Sequence, residues 1–580
     1  MYQPDLSPVA DSLALSSLVA VLPLLTLFVL LGGLRMKAHW AGLAALAVAV
    51  TLAVTAYGMP ADLALLSASE GATFGLFPIM WIVVTAIWVY QLTVVSGRFA
   101  DLRRAFGLIS ADPRVQAIII AFCFGGLLEA LAGFGAPVAI TGVMLMGLGF
   151  APVRAAVTVL VANTAPVAFG AIATPIITAG NLTKIPYTEI GAYVGHQTPL
   201  VAFFVPLLLV ALVDGRRGVR QTWPVALVCG AVFGLAQFVS ATYLSVELTD
   251  IIASLAALAA VVVFLRLWRP QGGEEARADL QKAAETEQGD GSAGQPSKPG
   301  DGDRPVAQSA TRNGQDGSAV TGTLPVSGAQ RIEGPRILMA FLPYLIIIGV
   351  FSLAKLVAPL KEFLAASDVK FGWPGLDGDV LTAAGQASSA TVYTFPWLSS
   401  PGTLLLLSGV VIAAVYRVAP AVAAREFTAT LHKLRWALLT VAAVLALAYV
   451  MNLSGQTITI GTWIAGAGTA FAFLSPVLGW LGTAVTGSDT SANALFATLQ
   501  QTAANKAGLD PTLLVAANTS GGVVGKMISP QNLTIAATAV GLIGRESQLF
   551  RAAIKWSLML MLALCVLVYL QSNVLAWMLP

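Results

Sequence analysis

Along this chain apolar residues gather into runs of about twenty, the length that crosses a bilayer's hydrocarbon core as an α-helix. Such runs fall near 13–33, 38–57, 73–95, 155–177, 192–213, 223–243 and 247–267, then, after a long break, near 336–357, 398–417, 436–453, 512–540 and 553–577. The pattern predicts twelve spanning helices. Two further apolar regions, 115–150 and 456–505, carry Gly, Pro and polar residues in their middles, so each reads as a re-entrant helical hairpin. Non-helical backbone at that depth has to be buried in protein or line a cavity. Asp5 and Asp11 precede the first run where a signal peptide would be positive, and no small-residue cleavage site follows, so that run is expected to stay as a helix.

Composition sharpens the class. Of 580 residues 57% are hydrophobic and 11% charged, against about 25% charged in an ordinary soluble domain, which excludes a soluble globular protein. A formal charge of +3 gives no sign of a nucleic-acid partner. Cys123, Cys229 and Cys565 lie in separate apolar runs, as packing residues do. From Arg269 to Ala340 there is no Phe, Trp or Tyr, so little apolar surface is on offer to offset ordering entropy. Residues 269–335 are therefore expected to be a disordered cytoplasmic linker between an N-terminal membrane half, 1–268, and a C-terminal half, 336–580.

With both hairpins returning to the side they left, Arg35, Lys37, Arg98, Arg103, Arg104, Arg114, Arg154, Arg216, Arg217 and Arg220 fall on one side with Arg417, Arg425, Lys433, Arg435, Arg545, Arg551 and Lys555. By the positive-inside rule that side is cytoplasmic and both termini lie outside. The outer side keeps Lys184, Lys355, Lys361, Lys370 and Lys506 with Asp62, Glu70, Glu189, Asp250, Glu362, Asp368, Asp377 and Asp379. Reading either broken region as a simple span would scramble this sorting.

An internal repeat supports two related halves. ANTAPVAFGAIATP from Ala162 and ANTSGGVVGKMISP from Ala517 share five identities at an offset of 355, and each follows a broken hairpin, AGFGAP at 132–137 or TGSDTSAN at 486–493. The copies run in opposite directions across the membrane, the inverted topology common in secondary transporters, whose discontinuous helices hold substrate near the midplane. Interruption at Pro166, or at Gly521–Gly522, would expose backbone N–H groups where the helix end favours an anion. Asn163, Thr164, Asn518, Thr519 and Ser520 would add side-chain hydrogen bonds, and Gly133, Gly135 and Ser488 would open the hairpin tips. The plainer reading is that such small residues only let helices pack closely in lipid.

Few ionisable residues remain at depth. A charge at the bilayer centre costs at least about 2.5 kcal/mol on insertion scales, which marks such residues as functional candidates. Lys526 could neutralise a substrate carboxylate or serve as permanent partner to Asp489 or Glu129; Glu129 and Asp489 are candidates for carrying a coupling proton. His196, in GHQTP at the start of the run 192–213, is a candidate proton relay, though a lone His is usually structural. The sequence shows no nucleotide-binding P-loop, metal-ligand cluster or catalytic triad, so no cofactor, no metal and no enzymatic role are expected.

EALAGFGAPVAI from Glu129, LGFAPVRAAVTVLVANTAPVAFGAIATPI from Leu148, TGSDTSANALFATLQ from Thr486 and LLVAANTSGGVVGKMISPQNL from Leu513 resemble the lactate permease family. The resemblance covers both hairpin regions and most spans, is weakest over the first two helices, and leaves the linker longer than the family requires. It implies an all-α polytopic protein of the bacterial inner membrane that takes up L-lactate, D-lactate or glycolate with protons, and kinship with a broader ion-transporter group built on two hairpins and paired Asn-Thr motifs. In that group Ser commonly precedes Asn-Thr, whereas here Ala162 and Ala517 do, which disfavours a sodium site of that kind. The competing readings are a sodium-coupled carboxylate carrier and, from another class, an anion channel or a membrane lactate sensor.

Overall fold

The computed structural model describes residues 1–34, 36–107, 109–133, 135–280, 282 and 334–580. Among them, ten helices are long and apolar enough to cross a membrane, and Pro152–Ala162 with Val167–Thr183, meeting at 63°, supplies an eleventh as a bent pair. Helix starts follow from local chemistry. Asp112, Ser400, Asp510 and Ser529 each accept a backbone N–H in the first turn of a helix that opens with proline, at Pro113, Pro401, Pro511 and Pro530.

The hydropathy runs find most elements but misplace several ends. The span expected at 73–95 is Ala61–Val95, 35 residues, bent where Phe77 leaves helical geometry at φ −138° and ψ 122°. Its first turns carry Asp62, Ser67, Ser69 and Glu70, too polar for a hydropathy window, and they pack on Pro420–Leu453, itself 16 residues longer than the run at 436–453 at its N-terminal end. Gly71 permits that contact: a Cβ there would stand 2.5 Å from the Leu445 carbonyl oxygen. The runs 192–213 and 223–243 merge into Thr198–Leu244, which doubles back at Asp214 and Gly215 (φ 60°, ψ −147°). The run 398–417 becomes a helix of only 15 residues, Pro401–Val415.

Both regions read as hairpins turn on glycine. Pro113–Leu131 reverses through Gly133 and Gly135 into Ala136–Gly147. Of these two arms the first is long enough to cross alone and the second is not. The region 456–505 holds three helices, Gln456–Ile464, Phe471–Thr486 and Asp489–Ala507, separated at Gly468 and Gly487. A hairpin comparable to the first is thus formed only from 471 onward.

A small sheet was not foreseen. Val369–Gly372 pairs antiparallel with Val392–Phe395, and the N-terminus joins the same end of the molecule: Tyr2 donates its hydroxyl to the carbonyls of Tyr57 at 3.1 Å and Ser454 at 3.0 Å. A second junction gathers around Arg114, whose fully buried guanidinium donates to Asp112 at 2.7 Å, Asp214 at 3.1 Å and the Gln271 carbonyl at 2.6 Å. Residues 273–280, expected to be disordered, are helical there and are tied down by Arg217 to Asp279 at 2.8 Å and Arg277 to the Ala111 carbonyl at 2.8 Å. Residues 281 and 283–333 of the expected linker lie outside the described residues, and its last two, 334 and 335, already belong to the helix Gly334–Leu356.

The tightest crossing joins Phe471–Thr486 to Pro511–Gly525. A Cβ on Gly479 would sit 1.8 Å from the Asn518 carbonyl oxygen, and one on Gly521 would sit 2.0 Å from that of Pro476. Gly521→Ala is therefore expected to lower stability by about 1–3 kcal/mol, the usual cost of overpacking, read as a fall in melting temperature of the detergent-purified protein. A melting curve unchanged from wild type would refute this reading of the contact.

Candidate substrate site

Two interrupted helices build the site. Pro152–Ala162 stops at Asn163, because Pro166 lacks an N–H and disfavours helical geometry in the residue before it. The Ala165 carbonyl freed by the break accepts the Gln237 amide at 3.1 Å, and Thr164 Oγ1 donates back to Val161 at 2.7 Å. Beyond a short turn at Val167–Phe169, Ala171, Ile172 and Ala173 adopt left-handed φ values of 45°, 57° and 57° before the helix resumes. The second interruption is not at Gly521–Gly522 as expected; Pro511–Gly525 is helical throughout. Those glycines serve helix contact, and the break falls at Lys526–Ile528 and Ser529. In the register of the repeat these residues stand opposite Ala171, Ile172, Ala173 and Thr174, whereas Asn163 ends a helix and its counterpart Asn518 lies inside one.

At the meeting of the two breaks Lys526 Nζ donates to Glu129 Oε1 at 2.5 Å, with both side chains under 10% exposed. Beside the pair is a narrow cavity, too tight in this conformation to hold a water molecule, lined by Val138, Leu160, Asn163, Thr164, Val167, Val523, Lys526, Met527 and Asn532. Glu129 Oε2, Asn163 Oδ1 and Asn532 Oδ1 are buried with no hydrogen-bond partner among the described residues. Unpartnered buried acceptors are costly unless something else uses them. The first hairpin tip closes the space: a Cβ on Gly135 would meet Ile535 at 2.3 Å and Asn532 Oδ1 at 3.5 Å, and one on Gly133 would come within 4.0 Å of Glu129 Oε1. On the first broken helix, Gly170 leaves the room that Glu129 fills, a Cβ there standing 3.0 Å from Oε1. One cation, one carboxylate and unpartnered amide carbonyls around this narrow space are the groups that an anion carrying a hydroxyl would engage.

The other predicted residues do not line the cavity. Asn518 Nδ2 and Thr519 Oγ1 both donate to Asn493 Oδ1 at 3.0 Å, and Gln500 donates to Asn518 Oδ1 at 3.3 Å. Ser520 donates to Gln197 Oε1 at 2.6 Å. Ser488 caps Asp489–Ala507 at the second hairpin tip. Asp489 accepts from Thr483 at 3.3 Å, faces Gly522, and lies within electrostatic reach of Lys526. His196 does not open a helix; it occupies the turn between Tyr187–Val194 and Thr198–Leu244, with Nδ1 2.7 Å from the Ala192 carbonyl and its ring edge-on to Phe238. Asn532 was not singled out by the sequence, since its repeat counterpart is Ile177. Glu70 and Asp250, assigned to outer loops, are instead 0% and 1% exposed. Glu70 lies in polar first turns that the run 73–95 leaves out, whereas Asp250 lies at the outer end of its run, 247–267, in the first turn of the helix Thr249–Leu267.

The family model described as L-lactate permease matches residues 16–575. The L-lactate permease of Bacillus subtilis (strain 168) is 41% identical over 591 residues, 99% of each chain. Glycolate permease GlcA of Escherichia coli (strain K12) is 40% identical over 592 residues, 100% of this chain and 99% of its own. The L-lactate permease of the same E. coli strain is 39% identical over the full length of both. Among solved structures, the Alcanivorax borkumensis YdaH transporter aligns over 89% of each chain at 14% identity and a TM-score of 0.43.

Removing one member of a buried ion pair costs about 3–5 kcal/mol, while replacing both with neutral groups of similar volume is often close to neutral. Lys526→Met alone is thus expected to depress the melting temperature strongly and Lys526→Met with Glu129→Gln to restore much of it. A double variant no more stable than the single would mean that the two side chains are not energetically paired.

Proposed function

We propose, from the premise that this chain belongs to the L-lactate permease family, that it takes up lactate and related 2-hydroxy monocarboxylates such as glycolate by proton symport across a bacterial inner membrane. The observation that carries the reading is the Lys526–Glu129 pair on the wall of the cavity beside Asn163. A substrate carboxylate takes Glu129's place on Lys526, forming a charge-assisted hydrogen bond in a dry site. The substrate hydroxyl donates to the free Asn163 or Asn532 carbonyl. Glu129, left without its cation, takes up one proton, so one anion and one proton enter together and no net charge accumulates in the protein.

Asn518, Thr519 and Ser520 serve in this reading by fixing the second broken helix, and hence Lys526, against Asn493, Gln500 and Gln197. Gly133, Gly135 and Ser488 keep the hairpin tips thin enough for substrate to pass. Asp489, within electrostatic reach of Lys526, and His196 stand as further coupling groups. Movement of the hairpin-containing core against the remaining helices would expose the cavity to each side in turn. The positive-inside sorting orients the chain with the linker in the cytoplasm and both termini outside.

In proteoliposomes, Lys526→Gln is expected to lower kcat/KM for lactate at least a hundredfold. Asn163→Ala is expected to raise KM about tenfold, the value of one net hydrogen bond. Uptake that both variants leave unchanged would move the site elsewhere. Accumulation that follows an imposed sodium gradient and ignores a pH gradient would replace the proton with sodium.

A further inference from the structure

The helix Thr249–Leu267 opens with a buried carboxyl group that the pair at Lys526 does not use. Asp250 Oδ1 receives the Gln237 amide at 3.5 Å, and Oδ2 has no hydrogen-bond partner among the described residues. One helical turn on, the Ser254 hydroxyl is also buried and unpartnered among the described residues, and residues four apart share a helix face. That face packs on Gly125–Ala132. A Cβ on Gly126 would stand 2.4 Å from Ser254 Oγ, so glycine is what lets the helices close here. Glu129 follows Gly126 by three residues on the same face.

The charge count is what gives Asp250 a task. Glu129 and Lys526 are the charged groups acting on it, and Lys526 already has Glu129 as its partner. With Lys526 paired to Glu129, neither Asp489 nor Asp250 has a cation of its own, so a carboxylate ionised at either position would be uncompensated. A neutral carboxylic acid removes that imbalance and supplies an O–H within the electrostatic reach of the carboxylate that must be protonated when substrate arrives.

We propose that Asp250 is the proton relay of this transporter. The inference rests on the proton-coupled reading of the site. When a substrate carboxylate displaces Glu129 from Lys526, the O–H bond of Asp250 breaks and an O–H bond forms on Glu129, along the face that carries Ser254. The Asp250 carboxylate, now ionised at the first turn of its helix, where the helix dipole favours a negative charge, is reprotonated from the aqueous side that this end faces. Gln237 positions it by holding Asp250 Oδ1 and the Ala165 carbonyl of the broken helix together.

The test compares wild type with Asp250→Asn, a neutral isostere, in proteoliposomes using two assays: accumulation of radiolabelled lactate driven by a pH gradient, and lactate counterflow, which needs no net proton movement. The relay requires gradient-driven accumulation to fall at least tenfold while counterflow stays within twofold of wild type. Accumulation at the wild-type level overturns it, and so does loss of counterflow alongside accumulation, which would make Asp250 a packing or binding residue. If Asp250→Asn yields no folded protein, Asp250→Ser is put through the same two assays, and the same pair of outcomes supports or overturns the relay. A wild-type protein that binds and exchanges lactate yet ignores the pH gradient refutes the coupling reading itself, and the relay with it.

Discussion

A lysine ammonium in the interior of a membrane protein must have an anionic partner, and here that partner comes from 397 residues away. Lys526 meets Glu129 at 2.5 Å, so the second interrupted helix and the first hairpin cannot be placed independently. Much of the surrounding detail answers to this contact. Gly170 is bare because the Glu129 side chain lies against it, and Gly133 stays small beside the same carboxylate. Asn532 spends its amide on the Lys526 carbonyl freed by the helix break at 2.9 Å, which leaves its own carbonyl facing the cavity.

Interrupting a helix in a low-dielectric interior frees backbone groups that water cannot satisfy, so each break must bring its own substitutes. The Gln237 amide does this at Ala165, and Ser529 caps the restarted helix at Asn532. Glycine takes part in two different ways. At Gly133, Gly135 and Gly487 a positive φ turns the chain. At Gly479, Gly521 and Gly525 the backbone stays helical and the missing side chain admits a neighbouring carbonyl.

That double use explains what the sequence could and could not disclose. Apolar runs, the hairpin glycines and the proline at 166 were legible because each acts through its own local geometry. The break after Gly525 was not, because a Gly-Gly pair can open a helix or pack it, and which occurs depends on Pro476 in another segment. Helix ends drifted where a polar extension carries a helix past its apolar run, as over Ala61–Phe74, whose Ser67 and Glu70 are buried, and over 420–435, which is mostly exposed. Glu70 was read as a loop residue for the same reason, whereas Asp250 lay within its run and was placed with the outer charges because it stands near the run's end. Asn532 and the Arg114 junction have no signature at all, since they arise from segments brought together only by the fold.

The stretch Ala171, Ile172 and Ala173 carries a consequence of a different kind. Left-handed geometry costs residues with a Cβ roughly 1–2 kcal/mol each, and none of the three is glycine. The chain holds this shape only while its buried neighbours press it into place. A displacement of the hairpin that relaxed this pressure would let the segment recoil into an ordinary helix and return the strain it holds, so the first broken helix is loaded like a bent spring while the second, with no such residues, lies slack.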